Sequence, residues 1–166
     1  MAGNDDGLRE FVQARYVDLL RVAFLLTGSA HEAEDLVQAA LVKMMRRWHT
    51  VDDPLAYARR IMVNQHISWW RRSRREVVTE VPPDRVVHDL AEGVVLREQL
   101  QAALQSLSPR TRAVVVLRYV VDLPEADVVA ILGCSLGTVK SQASRGLAKL
   151  RDVLQRAEGI VLNVHR

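Results

Sequence analysis

LPEADVVAILGCSLGTVKSQASRGLAKLR, residues 123–151, decides how this chain is read. A short apolar-rich segment ends at Leu132, Gly133-Cys134-Ser135 makes a turn, and a longer amphipathic segment follows. Helix, tight turn, longer helix is the helix-turn-helix arrangement. Gly133 suits the left-handed backbone that closes a first helix. At about 100° per residue, Leu136, Val139, Ala143, Gly146, Leu147, Leu150 and Leu154 fall on one face, which is expected to pack inward. The other side presents Gly137, Thr138, Ser141, Ser144, Arg145 and Ala148, flanked by Lys140, Gln142 and Lys149. From Ser135 to Arg151 there are four basic residues and no acid. Small side chains let a helix sit close in a major groove, and Arg, Gln, Ser and Thr hydrogen-bond base edges or phosphates.

Upstream, Ser108-Pro109 reads as a cap and first-turn proline opening a helix through Val121. The run Val114 to Val121 also has strand propensity; the cap and the helical neighbours favour helix. Asp122 and Glu125 form a capping-box pattern for the next helix, with Pro124 in its first turn. The final helix is expected to end near Leu154, leaving a tail, residues 155–166, without a pattern.

The first half is also helical. Leu8, Phe11, Val12, Leu19, Ala23 and Leu26 recur at helical spacing, and Thr27-Gly28-Ser29 ends that segment. Ser29 with Glu32 signals a second helix, about Ala30 to Trp48, and His49 to Asp53 is a loop. Asp53-Pro54 opens a third helix, PLAYARRIMVNQHISWWRRSRR, which carries six arginines and no acid. Leu55, Ala58, Met62 and Trp69 form its apolar stripe; Arg60, Asn64, Ile67, Arg71, Arg74 and Arg75 lie opposite. An uncompensated arginine stripe binds phosphate, and the interleaved Tyr57, His66, Trp69 and Trp70 suit stacking on unpaired bases.

Between the halves, residues 76–95 contain Pro82-Pro83 and Gly93, with Glu76, Glu80, Asp84, Asp89 and Glu92 against Arg85 alone. This segment reads as an extended acidic linker. The expected fold class is therefore all-α: two small helical domains, residues 8–75 and 96–154, joined by a flexible acidic linker.

Composition limits the function classes. Apolar residues make up 49% of the 166, enough for packed cores. The net charge is only +3, but the pI is about 9.4 and the positive charge is clustered. No apolar run approaches the roughly 20 residues of a membrane span, and the acidic start, Met1 to Asp6, lacks signal-peptide order. A cytoplasmic protein without membrane insertion is expected. Cys134 is the sole cysteine, and His31, His49, His66, His88 and His165 are scattered, so neither a metal site, a cofactor nor an enzyme is expected.

The same residues carry a family resemblance. AEDLVQAAL (Ala33 to Leu41), DPLAYARRIMVNQHISWWRRSRR (Asp53 to Arg75) and LSPRTRAVVVLRYVVDLPEADVVAILGCSLGTVKSQASRGLAKLR (Leu107 to Arg151) resemble the extracytoplasmic-function RNA polymerase sigma factors of the sigma-70 family, within them the actinobacterial sigma-E-like group. The resemblance implies a non-catalytic subunit with sigma domains 2 and 4. Such a subunit carries polymerase to a promoter by reading its −35 and −10 elements and helps open the DNA. It implies core RNA polymerase (beta and beta-prime subunits), promoter DNA and an anti-sigma factor as partners. By the same likeness, Asp35, Leu36, Gln38 and Leu41 contact the polymerase clamp. Trp48, Arg60, Asn64, Trp70, Arg71, Arg74 and Arg75 contact −10 DNA; Thr138, Lys140, Ser141, Gln142, Arg145 and Lys149 contact −35 DNA. Three positions depart from the pattern: Ala39 and Ser68 stand where acids are usual, and Pro124 where a serine cap is common, with Asp122 available to cap instead. An ordinary helix-turn-helix regulator binding duplex operator DNA as a dimer would explain the C-terminal half, but not the arginine-aromatic helix.

Overall fold

The computed structural model describes residues 2–75 and 92–164. Most of the expected linker, with Glu76, Glu80, Asp84, Arg85 and Asp89, lies outside these residues. Every regular element among the described residues is helical: α1 (Ala2–Thr27), α2 (Ala30–Met45), α3 (Pro54–Arg75), α4 (Glu92–Gln105), α5 (Pro109–Val115), α6 (Glu125–Leu132) and α7 (Leu136–Val164).

Several boundaries follow from local hydrogen bonds that the sequence announces. Ser29 Oγ accepts from Glu32 N at 3.3 Å and starts α2. Asp53 Oδ1 accepts from Ala56 N at 3.1 Å and starts α3. Ser108 Oγ accepts from Thr111 N at 3.4 Å, settling the Pro109 segment as helix rather than strand. Each satisfies a donor that the first turn of a helix leaves open. Gly133 ends α6 with φ 63°, ψ 34°, the left-handed geometry expected of it.

Other boundaries move. Helix α2 stops at Met45, and Trp48–Thr50 forms a separate 3-10 turn. The last four residues assigned to the linker, 92–95, belong to α4. Helix α7 runs on to Val164, so the expected tail is helical over most of its length. An Arg156–Asp152 pair at 3.0 Å, one turn apart, supports that extension. The Asp122 cap does not form: Asp122 itself adopts a left-handed φ of 62°, and Pro124 is the N-cap with no side-chain bond. The reason lies upstream, where α5 widens into a π-helical turn over Val116–Val120. Val121 N donates to Val116 O at 3.0 Å and Leu123 N to Leu117 O at 2.9 Å, and Asp122 takes its left-handed conformation between these two bonds.

Helices α1, α2 and α3 pack mutually around Leu19, Leu26, Leu36, Met44 and Met62, all buried. Helices α4 to α7 build a second core around Leu104, Val114, Leu117, Val128 and Val139. Gly146 lets α7 approach α5 closely: a Cβ there would stand 2.6 Å from Val115 Cγ2. The two cores are contiguous, because α1 packs on α4 and α3 packs on α5 and α6.

Candidate nucleic-acid interface

Helix α3 separates its faces much as its pattern predicts. Ala58, Met62 and Val63 are fully buried, while Arg60, Asn64 and the run Trp70 to Arg75 are exposed. Ile67 is the exception: it is 8% exposed and sits in the core instead of among the arginines. At the C-terminal end of α3 the arginines remain solvated, and the Arg74 guanidinium lies 4.9 Å from the Trp70 ring centroid. Trp70 is 38% exposed, so its face is available to a base once that arginine moves.

Trp48 behaves differently. It is half-buried and packs on Phe11 of α1, ring centroids 5.6 Å apart and planes tilted by 51°. It anchors the loop before α3 rather than offering a free stacking face. That loop and α3 frame a cleft of about 440 Å³ lined by Arg47, Thr50, Asp52, Tyr57, Arg59 and Arg60. Its far wall is Leu123, Asp127, Ala130 and Ile131, next to and within α6. Burial holds the Arg59 guanidinium below its ordinary pKa, with the Asp53 carboxylate opposing that effect. A second, more open depression of about 310 Å³ brings Tyr57, Arg60, Asn64 and Arg72 together with Lys43 and Gln65, which hydrogen-bond each other. Arginines, an amide and a tyrosine thus converge on volumes large enough for a nucleobase.

On α7 the exposed side carries Gly137, Lys140, Ser144, Arg145, Ala148 and Lys149. Ser135 caps this helix, accepting from Thr138 N at 3.1 Å and meeting Thr138 Oγ1 at 2.8 Å. Ser141 Oγ donates to Thr138 O at 3.1 Å within the helix. Lys140 lies 3.9 Å from Glu125 and keeps a solvated ammonium. Two residues of the expected reading set serve other ends. Lys149 Nζ donates to Ser106 O at 2.7 Å, tying α7 to the end of α4. Gln142 is half-buried, with Oε1 turned out of solvent and without a partner among the described residues. Leu136, placed by its periodicity on the packed face, is 46% exposed at the first turn. What remains open for a groove is Arg145 with small neighbours on either side.

On α2, Asp35 and Gln38 are exposed, with His31 Nε2 3.8 Å from Asp35 Oδ2. Leu36 is fully buried and Leu41 is 9% exposed. Both face the core because α1 and α3 close over that side of α2, so neither offers contact area to a partner. Exposed Val42 and Met45, 50% and 61% accessible, continue the Asp35–Gln38 edge at helical spacing instead. The i, i+3, i+7, i+10 spacing was readable in the sequence.

The sequence reading missed Arg112 altogether. This residue is 5% exposed, and its guanidinium donates to the carbonyls of Leu104 (2.8 Å), Gln105 (3.3 Å), Leu107 (2.9 Å) and Leu26. His66 Nε2 lies 3.4 Å from Arg112 Nη1. Burial, and secondarily the Arg112 charge, hold His66 down to about 4, so the imidazole is neutral and Nε2 accepts. Burial also lowers Arg112, to about 10, which leaves it charged at neutral pH.

Comparison with known proteins decides the family. The profile described as Sigma-70 region 2 matches residues 11–76, and that described as Sigma-70, region 4 matches residues 97–150. The chain is 41% identical over 149 residues to the RNA polymerase sigma-E factor of Streptomyces coelicolor, covering 87% of this chain and 84% of that protein. The chain belongs to the extracytoplasmic-function sigma factors. A further relative is the ECF RNA polymerase sigma factor SigE of Mycolicibacterium smegmatis, 32% identical over 161 residues, 89% of this chain and 61% of that protein. Among solved structures, the sigma factor RpoE in complex with the anti-sigma factor NepR from Bartonella quintana superposes with a TM-score of 0.67 at 26% identity, over 89% of this chain and 98% of that one.

As a sigma factor, the chain binds core RNA polymerase, directs it to promoters by reading −35 and −10 elements, and helps open the DNA. No helix among the described residues is long and apolar enough to cross a membrane.

Proposed function

We propose a division of labour among three surfaces. The exposed edge of α2, Asp35, Gln38, Val42 and Met45, docks on the polymerase clamp. The face of α3 with Arg60, Asn64, Trp70, Arg71, Arg74 and Arg75 holds the non-template strand of the opened −10 element. The exposed side of α7, centred on Arg145 with Thr138, Lys140 and Ser141, enters the major groove at −35. Domain 2 then spans residues 8–75 and domain 4 begins at α4. The subunit is non-catalytic and cytoplasmic, polymerase supplying the chemistry, and an anti-sigma factor restrains it.

The observation that carries this reading is the acid-free arginine run at the end of α3, with Arg72 lining the nearer of two clefts of nucleobase size. Such a surface attracts phosphate without reading sequence, and stacking plus amide hydrogen bonds then select unpaired bases. Replacing Asp35 and Gln38 with alanine is expected to weaken core-enzyme binding while leaving helicity unchanged, since neither side chain is buried. A pull-down with core polymerase measures it; undiminished capture would remove α2 from the docking surface.

A further inference from the structure

Ser73 differs from every other serine of this chain. Arg71 and Arg72 precede it, and Arg74 and Arg75 follow it. Its side chain is exposed, two residues before α3 ends at Arg75. The other serine hydroxyls are engaged or held inside packed helices. Ser29, Ser108 and Ser135 cap helices, and Ser106 and Ser141 donate to carbonyls. Ser68 and Ser144 sit in the middle of long helices that pack on their neighbours. Ser73 lies instead in a last turn, whose carbonyls have no partner within the helix. Helix ends fray at almost no free-energy cost, so Arg71 to Arg75 can be drawn out as an extended peptide.

The surroundings of Ser73 give a phosphate there large leverage. Ser73 follows Trp70 by three residues, and side chains at that spacing share a helix face. Helical side chains lean toward the N-terminus, so Ser73 leans toward the turn that carries Trp70. Trp70 is 38% exposed, and the Arg74 guanidinium lies 4.9 Å from its ring centroid. A phosphoryl group adds about two negative charges at neutral pH and three oxygens that accept strongly from arginine. Placed on Ser73, it pairs with the neighbouring arginines and crowds the exposed indole. It also sets negative charge at a helix C-terminus, where the macrodipole disfavours it. Free positive charge and stacking surface are lost together.

We propose that Ser73 is a phosphorylation site for a serine/threonine protein kinase whose acidic substrate groove selects arginine. Phosphate there blocks −10 strand binding and leaves the polymerase dock on α2 intact. The proposal rests on the assignment of α3 as the holder of the opened strand. In the transfer, Ser73 Oγ attacks the γ-phosphorus of magnesium ATP. The bond from that phosphorus to the β–γ bridging oxygen breaks, ADP leaves, and the hydroxyl proton passes to a kinase carboxylate. Arginines on both sides of the acceptor supply the complementary charge that such a groove reads. The modified factor still loads, because Asp35, Gln38, Val42 and Met45 lie on a different helix. It holds polymerase in a form that opens promoters poorly.

The test uses the full chain and its complex with core polymerase. The kinase is the catalytic fragment of protein kinase C, which accepts serine between arginines. With magnesium ATP it is expected to place phosphate on Ser73 of the folded chain, located by peptide mass spectrometry. The phosphorylated chain, separated from the unmodified one, is then loaded onto core polymerase. Its binding of a single-stranded non-template −10 oligonucleotide should weaken roughly 25-fold at 0.1 M salt. The slope of log affinity against log salt should flatten by about 1.4, two phosphate contacts at about 0.7 each. Affinity for core polymerase should not change. Kinase-treated Ser73→Ala should bind the strand as the untreated protein does. The proposal is overturned by an unlabelled Ser73, by undiminished strand binding of the phosphoprotein, by an equal loss of core binding, or by a loss in treated Ser73→Ala. Failure of α3 as the strand holder appears separately: Arg71→Ala with Arg74→Ala, without phosphate, would then leave strand binding unchanged.

Discussion

Two basic helices, α3 and α7, present opposite solutions to binding one polymer. Helix α3 concentrates charge: Arg71, Arg72, Arg74 and Arg75 are exposed, and among the described residues no acid pairs with them. Helix α7 spends its lysines locally, Lys149 on Ser106 O and Lys140 beside Glu125, and keeps Gly137, Ser144 and Ala148 on its open side. Charge without shape holds a flexible single strand, whose phosphates move to meet it. A helix with small side chains around Arg145 fits a duplex groove of fixed width, where position matters more than total charge. Net charge, +3 for the whole chain, hides this contrast.

The largest effect expected from breaking it lies on α3. Asn64→Ala with Arg60→Ala removes a charge from both clefts and a hydrogen-bonding amide from the smaller one, and should cost open-complex formation about 3 kcal/mol, two charge-assisted or polar contacts of about 1–3 kcal/mol each. Loading onto core polymerase should be spared. Permanganate reactivity of thymines in the bubble measures opening, and a pre-melted template should restore part of the loss, since the template then supplies the unstacking. Full opening of duplex promoter by the double variant would move melting to another surface.

Acid should act next, on the seam between the two regions. Unfolded His66 titrates near 6.5 and folded His66 near 4, so the folded state binds fewer protons between those values. The stability it contributes is complete above 6.5 and is lost as pH falls toward 4, on the order of 2 kcal/mol. Denaturant midpoints across that range measure the loss. His66→Gln, which can still accept from Arg112 but does not titrate there, should flatten it; an unchanged slope would clear His66.

Much of this was legible beforehand. Caps at Ser29, Asp53 and Ser108 and the turn at Gly133 depend on nearest neighbours, so their residue types announce them. The Asp122 cap failed because a π-helical turn, set by the tertiary packing of Val116 and Leu117, changed the backbone ahead of it. Ile67 faces inward because α3 is covered on more than one side, which a single-stripe reading does not anticipate. Arg112 was invisible since a lone arginine in an apolar run has the same letters whether it points to water or to two helix ends. Val42 and Met45 were visible as spacing, yet an apolar residue's exposure depends on which helices cover it.

On α7, Arg145→Ala should lower use of the −35 element by about 1–3 kcal/mol if it makes a bidentate base contact, with the loss concentrated at one promoter position. Comparable loss on every −35 sequence would reassign Arg145 to phosphate.

The smallest effect should come from Lys149 and Gln142, and it sharpens the contrast most finely, because both sit on the same helix as Arg145. Lys149 already donates to Ser106 O, and Gln142 turns its oxygen inward. Lys149→Ala removes an exposed tie between α7 and α4, worth about 0.5–1.5 kcal/mol of stability. Its loss from promoter binding should be smaller than that and uniform across −35 sequences, because a lysine engaged with the protein contributes little more than long-range charge. Gln142→Leu, similar in volume, deletes a buried unpaired oxygen and should leave stability equal or raised, since an unsatisfied buried acceptor carries a desolvation penalty. Thermal unfolding and in-vitro transcription on a panel of −35 variants measure both. If Lys149→Ala instead discriminates among −35 sequences as Arg145→Ala does, the lysine leaves Ser106 in the groove, and the reading surface of α7 is one turn longer than its free side chains indicate.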